Sequence, residues 1–209
     1  MLKRAIDVAA STLALIVLCP FLIALAIAVK FDSPGPALYR ALRVGRNGRR
    51  FRMLKFRSMV ENADRLGPPV SVEHDPRITR IGVLLRRTKL DELPQFFNVL
   101  VGDMSLVGPR PEAPEFVSQY SADDLEVLSV RPGITDWASI RGVDEGRALA
   151  LAQDPQREYA SSVLAAKLRL QREYVRNQSL ATDFRILFCT AALLLRQCRC
   201  PRQTTSHAR

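Results

Sequence analysis

A helix-dominated α+β fold is expected, with a membrane-inserted helix at the N-terminus and a small domain carrying amphipathic interface helices. Three observations predict it. Val8 to Val29 contains no charged residue. A basic segment around Asn47-Gly48 combines a tight-turn signal with flanking runs that suit a β-hairpin. The rest reads mainly at helical period and closes with two amphipathic stretches. The 209 residues accommodate one domain with an appended anchor. The expected layout is a membrane helix at 1–32, a folded domain at 33–197 and a basic tail at 198–209.

At about 1.5 Å per residue, Val8 to Val29 can cross a hydrocarbon core of about 30 Å, so length alone suggests a spanning helix. Pro20 lies near the middle and should kink or break it. Lys3 and Arg4 precede the run, and Lys30, Arg40 and Arg43 follow it. The positive-inside rule then asks for both ends on the cytoplasmic side. A re-entrant helix that enters, bends at Cys19-Pro20 and returns meets both demands and is the expected arrangement. Lys3-Arg4 with Ala24-Leu25-Ala26 or Ala26-Ile27-Ala28 also fits a signal peptide, though the apolar run exceeds the usual length.

Ser33-Pro34-Gly35-Pro36 should end the helix at the interface. Between Ser33 and Val60 there is no acid, only Arg40, Arg43, Arg46, Arg49, Arg50, Arg52, Lys55 and Arg57. Such a surface suits anionic headgroups, at about 1 kcal/mol per cation. The net charge of +10 likewise implies anionic partners: headgroups, nucleic acid or phosphorylated substrates. Sparse aromatics and the lack of a recognised fold motif argue against nucleic acid. No G-x-x-x-x-G-K-[ST] phosphate loop occurs. The four cysteines and two histidines have no zinc-ligand spacing, and reduced thiols facing the cytosol are expected.

Glu61 to Glu73 is polar and reads as a loop. The stretch from Asp75 to Glu112 then places adjacent carboxylates, Asp91 and Glu92, among Arg77, Arg80, Arg86, Arg87, Lys89 and Arg110. Leu93, Phe96, Phe97 and Leu100 have helical spacing, and Pro94 suits a first turn, so the two acids fall where a helix should start. Acids there are ordinarily dipole compensation. Gly108 to Pro111, GPRP, shifts that reading, because Arg110 between two prolines is held for phosphate recognition. Pro114 to Val130 reads as a helix plus a turn. Trp137 could stack a base or sit at an interface, with core packing the ordinary outcome. Ser161 to Asn177 and Thr182 to Arg196 read as amphipathic helices, the second lying on the bilayer or packing on the core.

KFRSM (Lys55 to Met59), DPRITRIG (Asp75 to Gly82), LDELPQFFNVLVGDMSLVGPRPE (Leu90 to Glu112) and RPGITDWA (Arg131 to Ala138) resemble the bacterial sugar transferases that load polyprenyl phosphate, the monotopic phosphoglycosyl transferases. The resemblance runs from Lys3 to about Arg196. It implies a catalytic domain at 33–197 that moves a sugar-1-phosphate from a nucleotide diphosphate sugar, UDP-linked, to undecaprenyl phosphate with release of UMP. By resemblance, Asp91 is the nucleophile, Glu92 orients the site or takes a proton, and Lys55, Arg86 and Arg110 contact phosphate. Mg2+ is the implied cofactor, with Asp91 a ligand, and the cations should keep Asp91 ionised. The implied setting is the bacterial inner membrane, monotopic, with the site on the cytoplasmic face, serving exopolysaccharide or lipopolysaccharide assembly. A homodimer stays open. The family usually has Gly where this chain has Asp136, which leaves the shape of that loop open. The alternative is a non-catalytic basic module, anchored in the membrane, that binds anionic lipid or a partner protein.

Overall fold

The computed structural model describes residues 1–67, 75–141 and 158–199. The stretch at 68–74 and the tail beyond 199 lie outside it, so His74, the second part of the expected polar loop and most of the basic tail are not addressed. Helix dominates, with two small two-stranded sheets, as expected of the α+β class.

Helix α1 (Leu2–Asp32) contains Pro20 and is the one described helix long and apolar enough to cross a membrane. Leu13, Ile16, Val17 and Ile23 on it are exposed. Its two ends are both tied to the folded domain. At the start, Lys3 pairs with Asp183 at 2.5 Å, and Arg4 donates to the Val99 and Leu100 carbonyls at 2.6 and 2.9 Å. Buried Asp7 accepts from Ser105 Oγ at 2.8 Å. At the other end, buried Arg57 donates to the Ser33 and Pro34 carbonyls and so satisfies the helix exit. Asp32 accepts from Ile81 N at 3.0 Å.

The hairpin forms as expected. Strands β1 (Leu38–Val44) and β2 (Arg50–Phe56) pair antiparallel, with Asn47 and Gly48 at positive φ in the turn. Ala41, Phe51 and Met53 face inward against Val99 and Met104. A short helix α2 (Ala63–Leu66) follows, then α3 (Arg80–Thr88), capped where Thr79 accepts from Gly82 N. Leu85 of α3 packs with Val29 and Phe56, each worth about 1.5–3 kcal/mol when buried.

Helix α4 (Gln95–Val101) starts later than the sequence suggests. Asp91 and Glu92 belong to a 3-10 turn (Leu90–Glu92) ahead of it. Pro94 has no N–H to donate, so the regular ladder begins only after it. Its inward face is Gln95, Asn98 and Val99, while Phe97 is 48% exposed. The apolar run at helical spacing is thus only partly buried, with Leu93, Phe96 and Leu100 half-buried. Asn98 explains part of this: its side chain accepts from Leu54 N at 2.9 Å and donates to the Arg52 carbonyl at 2.8 Å, locking β2 to α4.

Strand β3 (Ser105–Val107) runs parallel to β4 (Gly133–Thr135). The chains touch closely at Gly108 and Gly133, where a Cβ on Gly133 would lie 2.1 Å from Gly108 N. Between them lie α5 (Pro114–Val117) and a 3-10 turn (Asp124–Ser129), a shorter helix than expected. Helix α6 (Trp137–Ile140) follows β4. The chain closes with α7 (Leu164–Arg176), entered through a π-turn at Tyr159–Val163, and α8 (Leu180–Arg199). On α8, Ile186 is fully buried against Val107 and Tyr174, whereas Phe184 and Phe188 face outward. Helix α8 therefore packs on the core through one face and leaves an apolar face outside. Trp137 joins this cluster, with the Arg141 and Arg185 guanidiniums 5.6 and 5.7 Å from its ring centroid. Cys19 and Cys189 are free thiols.

A buried ion pair ties α7 to the GPRPE segment. Lys167 Nζ lies 2.5 Å from Glu112 Oε1, and Tyr159 Oη donates to the same oxygen at 2.8 Å. Lys167 is only 3% exposed. Truncating Glu112 takes the opposing charge from a buried ammonium, so Glu112→Ala should cost about 3–5 kcal/mol, read as a fall in thermal midpoint in detergent. A fall no larger than that of a surface Glu115→Ala control would refute this.

Candidate active site

Three segments meet at one point: the end of β2, the 3-10 turn before α4, and the loop after β3. Glu92 is the junction. Lys55 Nζ lies 2.9 Å from Glu92 Oε1, and Arg110 grips both oxygens, with Nη1 3.1 Å from Oε2 and Nη2 on Oε1. Such a two-point guanidinium–carboxylate bond fixes orientation as well as charge. Lys55 reaches this position because Asn98 fixes the neighbouring Leu54. Asp91 and Glu92 are presented by the reversal at Lys89, which adopts the left-handed conformation at φ 59° between α3 and the 3-10 turn.

The backbone of Arg110 is held from behind. Asp136, 1% exposed, accepts from Arg110 N at 3.3 Å, from Gln171 Nε2 at 3.0 Å and from Ser139 N at 2.8 Å. The chain's departure from the family's usual glycine therefore has a definite role: this carboxylate joins the Arg110 loop, α6 and α7. Sequence reasoning missed this function of Asp136. Its buried partner Gln171 is 35 positions away, and no local spacing links the two.

Asp91 is buried yet stands apart from the ion pairs. Its Oδ1 is fully enclosed and has no hydrogen-bond partner. Burial pushes its carboxyl above the usual range and the Glu92 charge adds to this, while Lys55, Lys89 and Arg110 oppose it. The cations were expected to hold Asp91 ionised; Lys55 and Arg110 bond to Glu92 rather than to Asp91, and their charges oppose the upward push of burial there. Glu92 is the reverse case. Burial would raise it, but the charges of Arg110 and Lys55 and the Arg110 hydrogen bond hold it well below the usual range. Burial pulls Lys55 below its ordinary value, against the attraction of Glu92. Arg86, half-buried on α3, lends its charge to Asp75, which Arg77 chelates at 2.6–3.1 Å. Lys55, Asp91, Glu92 and Arg110 thus come together.

Among the described residues, no group of three or more His, Cys, Asp or Glu is placed to hold a metal. The Asp91 carboxylate, which neither Lys55 nor Arg110 bonds, still suits Mg2+, which commonly takes one or two protein carboxylates and completes its shell with phosphate and water.

With this geometry in place, comparison with known proteins gives a consistent answer. Residues 1–197 match the family described as bacterial sugar transferase, and the chain belongs to it. The chain is 41% identical over 200 residues to the exopolysaccharide production protein PSS of Rhizobium leguminosarum bv. phaseoli, covering 90% of this chain and 92% of that one. It is 40% identical over 193 residues to the UDP-glucose:undecaprenyl-phosphate glucose-1-phosphate transferase of Escherichia coli K12, covering 91% and 39%. It is 37% identical over 199 residues to the UDP-N-acetylgalactosamine-undecaprenyl-phosphate N-acetylgalactosaminephosphotransferase of Aeromonas hydrophila, covering 93% and 44%. The chain spans less than half the length of these last two relatives.

The two acids should show opposite linkage. Glu92, depressed in the fold, adds stability above its unfolded value near about 4.3, and that stability is lost as pH falls through the folded value. Asp91, raised in the fold, is favourable below its unfolded value near about 3.9 and becomes a cost as pH rises through the folded value. Asp91→Asn should therefore raise the thermal midpoint at pH 7 and lose that advantage towards pH 4, whereas Glu92→Gln should lower the midpoint at pH 7. A thermal-unfolding series across pH checks both signs, and a lower midpoint for Asp91→Asn at pH 7 would contradict the account.

Proposed function

We propose that the chain is a polyprenyl-phosphate phosphoglycosyl transferase that moves a sugar-1-phosphate from a UDP-sugar to undecaprenyl phosphate. The observation that carries this reading is the partition at the site: two cations lock Glu92, while the adjacent Asp91 carboxylate is bonded by neither. A carboxylate freed in this way is a nucleophile. The named activities of the relatives and the family match support the same class.

In this reaction an Asp91 oxygen bonds to the phosphorus nearest the sugar. The bond to the bridging oxygen breaks, and UMP leaves with the electron pair. The phosphate of the lipid acceptor then bonds to the same phosphorus, the acyl–phosphate bond breaks, and Asp91 returns as a carboxylate. Each approach brings like charges together, at about 4 kcal/mol for a unit pair about 4 Å apart when the effective dielectric is about 20. Lys55 and Arg110 stand where they can offset this, poised on Glu92 and able to share their donors with an incoming phosphate. Glu92 keeps both cations in register. Mg2+, with Asp91 as its protein ligand, would supply further charge neutralisation on the phosphate oxygens.

The acceptor's phosphate stays at headgroup depth, so the site must sit there too. The ties at both ends of α1 support a re-entrant helix. If straight, its 31 residues would extend about 45 Å, enough to part the ends across a bilayer. Both ends instead hold one domain, and Pro20 offers a bend between them. The exposed apolar residues Val83, Leu84, Phe97, Val101, Phe184 and Phe188 suit the same interface. In this reading the domain, with its site, lies on the cytoplasmic face of the inner membrane.

The test is UMP release from a panel of UDP-sugars with undecaprenyl phosphate. Wild type should turn over at least one donor, and Asp91→Asn should lose essentially all activity while remaining in the membrane fraction. Full turnover by that variant would remove Asp91 from the chemistry. For topology, single cysteines at Leu2 and Phe31 should both be labelled by an impermeant maleimide from the cytoplasmic side alone. Labelling of the two from opposite sides would replace the re-entrant helix by a spanning one.

A further inference from the structure

The inward face of α4 carries two amides with different fates. Asn98 is fully used: it accepts from Leu54 N, donates to the Arg52 carbonyl and reaches Asp103 at 3.3 Å. Gln95, one turn earlier and fully buried, has no hydrogen-bond partner at either its amide nitrogen or its carbonyl oxygen. Leaving a buried amide unmatched is costly, so a merely space-filling position would favour an apolar residue. Asp91 lies four positions before Gln95, also turned inward, with its Oδ1 likewise buried and unpartnered. Two unsatisfied polar groups, a donor-bearing amide and an acceptor-only oxygen, therefore occupy successive turns on the inner side of one segment. The neighbouring cations do not resolve this, since Lys55 and Arg110 bond to Glu92.

We infer that Gln95 is the positioning residue for Asp91: its carboxamide N–H orients Asp91 by donating to the inner carboxylate oxygen when the donor is bound, leaving the outer oxygen directed at phosphorus. The inference rests on the reading of Asp91 as nucleophile. It assigns the cost of the orphaned amide to function. A carboxylate gripped at one oxygen has a fixed attack line, and misplacement by about 1 Å can cost on the order of 100-fold in rate. Gln95 itself touches no reacting atom, so it should govern the rate of phosphosugar transfer to the enzyme and leave donor affinity to Lys55 and Arg110.

Gln95→Met tests this, because methionine keeps the shape and removes both polar atoms. Full-length protein in nanodiscs is measured for thermal midpoint, kcat and KM for the UDP-sugar, and for the rate of covalent labelling by a donor radiolabelled in the phosphate next to the sugar, with acceptor withheld. Asp91→Asn runs in parallel. The expected result is a midpoint equal to or above wild type, an unchanged KM, and a fall of about 10- to 100-fold in kcat and in labelling rate. Wild-type kcat in Gln95→Met, beside an inactive Asp91→Asn, would overturn the inference and leave the nucleophile assignment standing. A clear loss of thermal stability in Gln95→Met would also overturn it, by showing that the amide is structural. Retained turnover in Asp91→Asn would remove the reading on which the inference rests.

Discussion

The bond on which the site depends is the grip of Arg110 and Lys55 on Glu92. These three residues come from a loop, a strand and a turn, and charge of this kind is costly to bury unless its partners are held closely in place. Much of the surrounding fold serves that need. Asn98 fixes β2 beside Lys55, Asp136 and Gln171 hold the backbone of Arg110, and Glu112 is pinned two residues on by Lys167 and Tyr159. The consequence for chemistry lies at the adjacent position. With both cations committed to Glu92, Asp91 is buried, electrostatically influenced by them and yet not bonded by them. In the proposed reaction that division gives the two neighbouring acids separate work.

Much of this was legible in the sequence because it depends on local patterns. Asn47-Gly48 marked the hairpin, the uncharged run marked α1, and the order of the motifs drew Lys55, Asp91, Glu92 and Arg110 into one site. The pairing within the site was not legible. Counting cations around Asp91 did not say which of the two adjacent carboxylates would bond them, because that depends on side-chain direction. Asp136 was read as a departure from a family glycine, and its use became visible only when Gln171 and Arg110 were seen to share its carboxylate.

The reversed face of α4 has a more general cause. A helix on a domain surrounded by water would turn its amides outward and its phenylalanines inward. Beside an apolar helix such as α1 the outside need not be aqueous, and the pattern then inverts. Asn98 turns inward to bind β2, Gln95 turns inward without a partner, and Phe97 turns outward. Helix α8 obeys the same logic with an apolar residue on each side, Ile186 inside and Phe188 outside. A catalyst working on a lipid phosphate gains from this arrangement, because the faces that would hold it at the interface also border the turn that presents Asp91.

The most direct measurement of the central claim is intact-protein mass spectrometry with peptide mapping, after incubation with an accepted UDP-sugar and no lipid acceptor. The account predicts a mass increase of one phosphosugar, carried on the peptide containing Asp91 and discharged when undecaprenyl phosphate is added. An unmodified protein that nevertheless turns over when both substrates are present, or an adduct on another side chain, would contradict it.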